Sequence, residues 1–81
     1  MTDVSRYYFD VIDDNSIQRD EVGVMLDSAD DVRRYVSHML TDLLRDELAD
    51  AAHGKLRITV RDDVDFEVFQ AETSLNSSWA D

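Results

Sequence analysis

The chain has 81 residues, the size of one domain, and a chain this short buries only about 60% of the surface its unfolded form exposes. Nineteen acids against eight bases give a formal net charge of −11, and no cysteine is present. That composition excludes a disulfide framework and a thiolate metal site, and it disfavours general binding to phosphate backbones.

Arg6-Tyr7-Tyr8-Phe9-Asp10-Val11-Ile12 is aromatic and β-branched, as strands are. Tyr7, Phe9 and Val11 fall on one face; Arg6, Tyr8, Asp10 and Ile12 fall on the other. Asp13-Asp14-Asn15-Ser16 reads as a turn, because Asn and Asp bond their own main chain. Ile17-Gln18-Arg19 is a short return strand, and Asp20-Glu21-Val22-Gly23 is a bend in which Gly23 supplies a positive φ. Asp27 or Ser28 then caps a helix. Ala29, Val32, Val36, Met39, Leu40, Leu43, Leu44, Leu48, Ala51 and Ala52 recur along it at helical spacing, which puts its stability centre near Leu40, Leu43 and Leu44. The wet face carries Asp30, Arg33, Arg34, Ser37, His38, Thr41, Asp42, Arg45, Asp46 and Asp50, with Asp30 and Arg34 at ion-pair spacing. Gly54 is placed to end the helix in left-handed backbone.

Lys55 to Arg61 alternates: Leu56, Ile58 and Val60 point inward, and Lys55, Arg57, Thr59 and Arg61 point outward. Asp62-Asp63-Val64-Asp65 is a hairpin loop, and Phe66 to Thr73 is the returning strand. Phe69, Ala71, Thr73 and Leu75 form one face of that strand; Phe66 and Val68 belong to the other. The expected fold is a two-layer α+β domain of order β-β-α-β-β, one long helix on a small, mainly antiparallel sheet. It spans residues 5–75 and leaves 76–81 as a loose C-terminal tail.

Arg6 to Val11, the Asp20 to Gly23 bend, the Asp27 cap and the Val60-Arg61-Asp62 triplet, in that order, resemble a family of short bacterial proteins known as a domain of unknown function. The likeness runs from about Arg6 to Leu75. Asn15 and Asp65 stand where that family tends to have glycine, and both residue types tolerate left-handed backbone. The resemblance implies the α+β architecture and carries no activity with it.

Chemistry-bearing constellations are sparse. His38 and Asp42 lie one helical turn apart, but zinc wants at least three protein ligands. The other histidine, His53, would stand about 22 Å away along a continuous helix. The acidic turns at Asp13-Asp14-Asn15 and at Asp62-Asp63-Val64-Asp65 lack the ligand spacing of a calcium loop. There is no nucleophile elbow and no glycine-rich phosphate loop. Neither an enzyme, a cofactor nor a dedicated metal is expected. The more informative feature is the outer sheet face, where Arg6, Lys55, Arg57 and Arg61 make a cationic strip mixed with Tyr8, Ile12, Phe66 and Val68. Arginine among aromatics suits the centre of a protein interface. The leading expectation is an interaction module that self-associates through this face as a homodimer, with Asp10 or Glu67 of a second copy meeting the strip. A nucleic-acid mimic or binder of a basic protein is the second reading, and a small metal-dependent regulator or enzyme centred on His38 and Asp42 is the third. No apolar run approaches the roughly 20 residues of a membrane span, and Met1 to Arg6 lack a secretory stretch, so no membrane partner and a cytoplasmic location are expected.

Overall fold

The computed structural model describes residues 4–50 and 53–80, without the side chains of 47–50. Leu48, Ala51 and Ala52 of the expected apolar face therefore lie outside what is described. The elements are β1 (Ser5–Asp13), β2 (Ile17–Gln18), β3 (Val24–Leu26), α1 (Ala29–Asp50), β4 (His53–Arg61) and β5 (Glu67–Asn76). All strand pairs are antiparallel, in the order β2-β1-β4-β5, and β3 pairs with β1 on the same side as β2. This is the expected α+β fold with one strand more. Val24-Met25-Leu26, assigned to no element from the sequence, form β3, opposite Ser5, Arg6 and Tyr7.

The alternation in the sequence sets which side the helix covers. Phe9, Ile58 and Val60 are buried in one cluster with Val32 and Val36, and Tyr7, Val11, Val24, Leu26, Phe69 and Ala71 pack around them; Leu56 is buried further along β4. Tyr35 packs on Phe9 with ring centroids 4.6 Å apart and the ring planes tilted by 40°. The core thus centres on the first half of α1. Leu40 and Leu43 are only half-buried at its margin, which corrects the expected centre near the middle of the helix.

Of the two expected caps it is Ser28 that serves: its Oγ accepts the Asp31 N–H at 3.1 Å. Asp27 and Asp31 share a hydrogen bond that raises the pKa of Asp27 and lowers that of Asp31. Arg34 lies 3.9 Å from Asp31, one turn back, in place of the expected Asp30. Gly54 does not terminate the helix: it lies in β4 opposite Leu75 and has no positive φ. At the other expected bend Gly23 does adopt a φ of 78°, and Asp65, at a position where glycine was anticipated, adopts 70°. β5 runs on to Asn76, opposite His53, so the irregular segment starts at Ser77.

Ile58 has no exposed surface. Cutting it to alanine is expected to cost about 2–5 kcal/mol, against a total of about 5–15 kcal/mol for a typical domain. Leu43→Ala, at the half-buried margin, should cost less than half as much. Urea melts of the two variants measure the difference, and equal losses would contradict this placement of the core.

Candidate functional site

Three of the four stretches that carried the family resemblance meet at one place on the face of the sheet opposite the helix. Asp10 projects from β1 on that face and Arg61 from β4. Arg61 Nε donates to Asp10 Oδ2 at 2.7 Å and its Nη2 donates to Asp10 Oδ1 at 3.0 Å, a two-pronged pair. The same Nη2 donates to the Asp20 carbonyl at 2.9 Å, and Nη1 donates to Asp65 Oδ1 at 2.7 Å. The guanidinium Cζ lies over the Tyr8 ring, 5.0 Å from its centre. Both side chains of the Asp10–Arg61 pair are only 11% exposed.

Asp20 completes the cluster from the bend. Its N–H donates to Asp10 Oδ1, its Oδ2 accepts the Phe9 N–H, and its Oδ1 accepts the N–H groups of Val22 and Gly23, all near 3.0 Å. Arg6 donates to the Val22 carbonyl from the other side at 2.8 Å. The bend leaves no room for a side chain at its last residue: a Cβ on Gly23 would stand 2.8 Å from Arg6 Cγ and 3.0 Å from the Tyr7 carbonyl oxygen. Glycine is needed there for space as well as for backbone angle.

The cluster is internally satisfied and serves to hold elements together. β2 and β3 cover the edge of β1 at its two ends, and Asp20 closes the gap at Phe9 between them. Burial pushes the Asp10 carboxyl upward, but hydrogen bonds from Arg61 and the Asp20 N–H, with the charge of Arg61, hold it below its ordinary 3.8. Burial likewise opposes ionisation of Asp20, and the N–H groups of Phe9, Gly23 and Val22 outweigh it. The pair with Asp10 moves Arg61 the other way, upward.

The outer-face residues singled out from sequence therefore divide. Arg61 is committed to Asp10, and Asp10 is buried, so neither is available to a second copy as expected. Arg6 is held to Val22, and Arg57 pairs with Glu72 at 3.5 Å, with Glu67 taking no part in that pair. Lys55 makes no ion pair among the described residues. Tyr8 and Ile12 are half-buried on this face, and Ile12 stands opposite the exposed Ile17 of β2. Phe66 lies in the hairpin, 70% exposed. Val68 is displaced by a bulge: Val60 pairs with Phe69 and Arg61 with Glu67, leaving Val68 between them. It lines a hollow of about 280 Å³ on the helix side, with Ser5, Tyr7, Ala29, Val32, Asp62, Asp63 and Phe69. A second, open hollow of about 500 Å³ lies between β2 and the helix, lined by Phe9, Val11, Gln18, Arg19, Asp20, Tyr35 and Met39.

His38 and Asp42 are exposed on the helix, and His53 opens β4 instead of extending α1. Among the described residues no three His, Cys, Asp or Glu side chains come together as metal ligands. Among the described residues no helix is long and apolar enough to cross a membrane.

The two edges of the sheet differ. One edge is broken into two short strands. The other is the whole of β5, ten residues with neither proline nor a basic side chain. The Phe9 N–H turns away from β4 to reach Asp20. By antiparallel alternation, Val60 opposite it turns its peptide groups to β5, as do Ile58 and Leu56. The Asp62 N–H, donating to the Phe66 carbonyl, follows the same alternation. Phe69, Ala71 and Thr73 then face β4, and the peptide groups of Gln70, Glu72 and Ser74 face the open edge.

Removing one member of a buried ion pair costs about 3–5 kcal/mol, and Asp10→Ala is expected to fall in that range by urea denaturation. Because the folded-state pKa values of Asp10 and Asp20 are lowered, their contribution is present above the ordinary 3.8 and is lost as pH falls through the folded values. The wild type should lose stability more steeply than Asp10→Asn on acidification below about pH 4. Parallel acid profiles would contradict the cluster's role.

No curated protein and no solved structure matches the chain. One family model does, over residues 6–74. That span takes in both strands of the ion pair, the bend and the helix, so the chain belongs to the family described as Domain of unknown function (DUF6894).

Proposed function

We propose that this domain is a non-enzymatic protein interaction module that self-associates. The observation that carries the proposal is the asymmetry of the sheet edges. Soluble proteins blunt exposed edges with short strands, proline, lysine or bulges. Here that protection is present beside β1, where β2 and β3 have only two and three residues. β5 has ten, and its one bulge lies at its very start. An edge of that length is a template for another strand, and a second β5 in two-fold antiparallel pairing is the simplest occupant.

The residues suit such pairing. Centred on Ala71 or Thr73, it sets no carboxylate opposite another; centred on Glu72, it would oppose two like charges. The outer face, the first expectation for the interface, has its cations largely tied to neighbours in the same chain, which weakens its claim. Binding a basic protein or mimicking nucleic acid would need an array of free carboxylates. Asp13, Asp20 and Asp62 instead accept hydrogen bonds from their own turns, and the helix acids alternate with Arg33, Arg34 and Arg45.

Proline on an edge strand is tolerated where its missing N–H faces outward. Gln70→Pro and Ser74→Pro should therefore fold and raise the dimer dissociation constant at least about tenfold, roughly 1.4 kcal/mol. Tyr8→Glu, on the outer face, should leave it unchanged. Sedimentation velocity over a micromolar concentration series reads all three. A dimer abolished by Tyr8→Glu and indifferent to both prolines would move the interface to the face, and a wild type that stays monomeric throughout would remove the proposal.

A further inference from the structure

We infer that each copy inserts Trp79 into the partner's helix-side hollow, so that the segment after β5 acts as a reciprocal arm across the edge-paired dimer. The inference rests on self-association through β5. Trp79 is the single tryptophan of the chain and is 96% exposed. A side chain of that kind usually buries about 150–250 Å² when it finds a site. The hollow of about 280 Å³ is lined by the apolar groups of Tyr7, Ala29, Val32, Val68 and Phe69, with Ser5, Asp62 and Asp63 as its polar residues.

A copy cannot fill its own hollow. Asn76 and Val68 lie at opposite ends of β5, about 26 Å apart at strand rise. The three residues from Ser77 to Trp79 span at most about 11 Å. Antiparallel pairing of two β5 strands removes that obstacle, because it sets the end of one strand beside the start of the other. Centred on Thr73, the pairing brings position 79 opposite the partner's Glu67, beside Val68 of the hollow; centred on Ala71, it brings Leu75 there and carries Trp79 past the start of the strand, toward the hairpin that holds Asp62 and Asp63.

The facing agrees as well. Phe69 and Ala71 of β5 point to the helix side. Trp79 has the same parity, so an extended continuation of the strand aims the indole to that side. The two arms also supply area that a strand edge lacks alone, since stable interfaces bury at least about 1,200 Å² in total.

Because Trp79 is the only tryptophan, its emission reports the contact directly. In the wild type, emission should be blue-shifted at high concentration and move to the red on dilution, in step with dissociation measured by sedimentation. Trp79→Ala, at an exposed position that leaves each protomer's fold intact, should raise the dissociation constant about tenfold or more. Val68→Asp, in the receiving hollow, should do the same. A mixture of the two variants should recover part of the affinity, because the heterodimer keeps one intact arm and one intact hollow. A wild-type dimer with red emission, and with the same dissociation constant in Trp79→Ala, would overturn the arm while leaving self-association standing. Blue emission that persists in the monomer would also overturn it, and absence of any dimer would remove both proposals.

Discussion

The arrangement of this sheet depends on a single ion pair between strands that are 51 residues apart in the chain. Arg61 reaches across from β4 to Asp10 on β1, and Asp20 binds to both. A buried carboxylate on the outer face of a sheet would ordinarily be costly. Here each oxygen of Asp10 and every nitrogen of Arg61 has a partner, so the cost is offset by bonds that also set where the β2-to-β3 connection lies. No buried polar side-chain atom among the described residues lacks a partner. The interaction fixes geometry more than it adds net stability, as buried pairs commonly do.

That constraint propagates to the edges. With Asp20 held against Phe9, β1 is capped by two short strands and one carboxylate and offers no continuous template on that side. The same bond sets the alternation of peptide groups through β4 into β5, and so decides which groups of β5 meet solvent. The strong acidity of the chain follows a similar logic. Part of it belongs to turns in which Asp accepts its own main-chain N–H groups, as Asp13 does for Asn15 and Ser16 and Asp62 does for Val64 and Phe66. These carboxylates are turn chemistry before they are surface charge.

Much of the fold was legible in sequence because it is written in periodicity. Leu56, Ile58 and Val60 alternate with polar residues and are buried as alternation requires; Val32 and Val36 follow the helical repeat beneath which they pack. Gly23 and Asp65 carried turn signals that survive in their backbone angles. β3 was missed because three consecutive apolar residues have no period, although Gly23 before them and the cap after them bounded a strand of that length. Gly54 misled because a glycine after a helix is equally compatible with the start of a strand.

The functional surface was less legible, because it rests on contacts across the sheet. Alternation rightly put Arg61 and Asp10 on the outer face, but it could not say that they face each other. An acid at an outward position of an otherwise apolar strand, and an arginine at an outward position of another, were the available signal. Val68 escaped because a one-residue bulge reverses the facing that parity assigns. Glycine at position 23 and the arginine at position 61 look unrelated along the chain; they are two sides of one packed bend.

Native-state hydrogen exchange tests the central claim most directly. If the Asp10–Arg61–Asp20 cluster closes the edge of β1, the Phe9, Asp20 and Gly23 amides should exchange as slowly as the ladder amides of Ile58 and Val60, near the rate set by global unfolding. Exchange at these three amides as fast as in the Asp62–Asp65 hairpin loop, while Ile58 and Val60 remain protected, would contradict it.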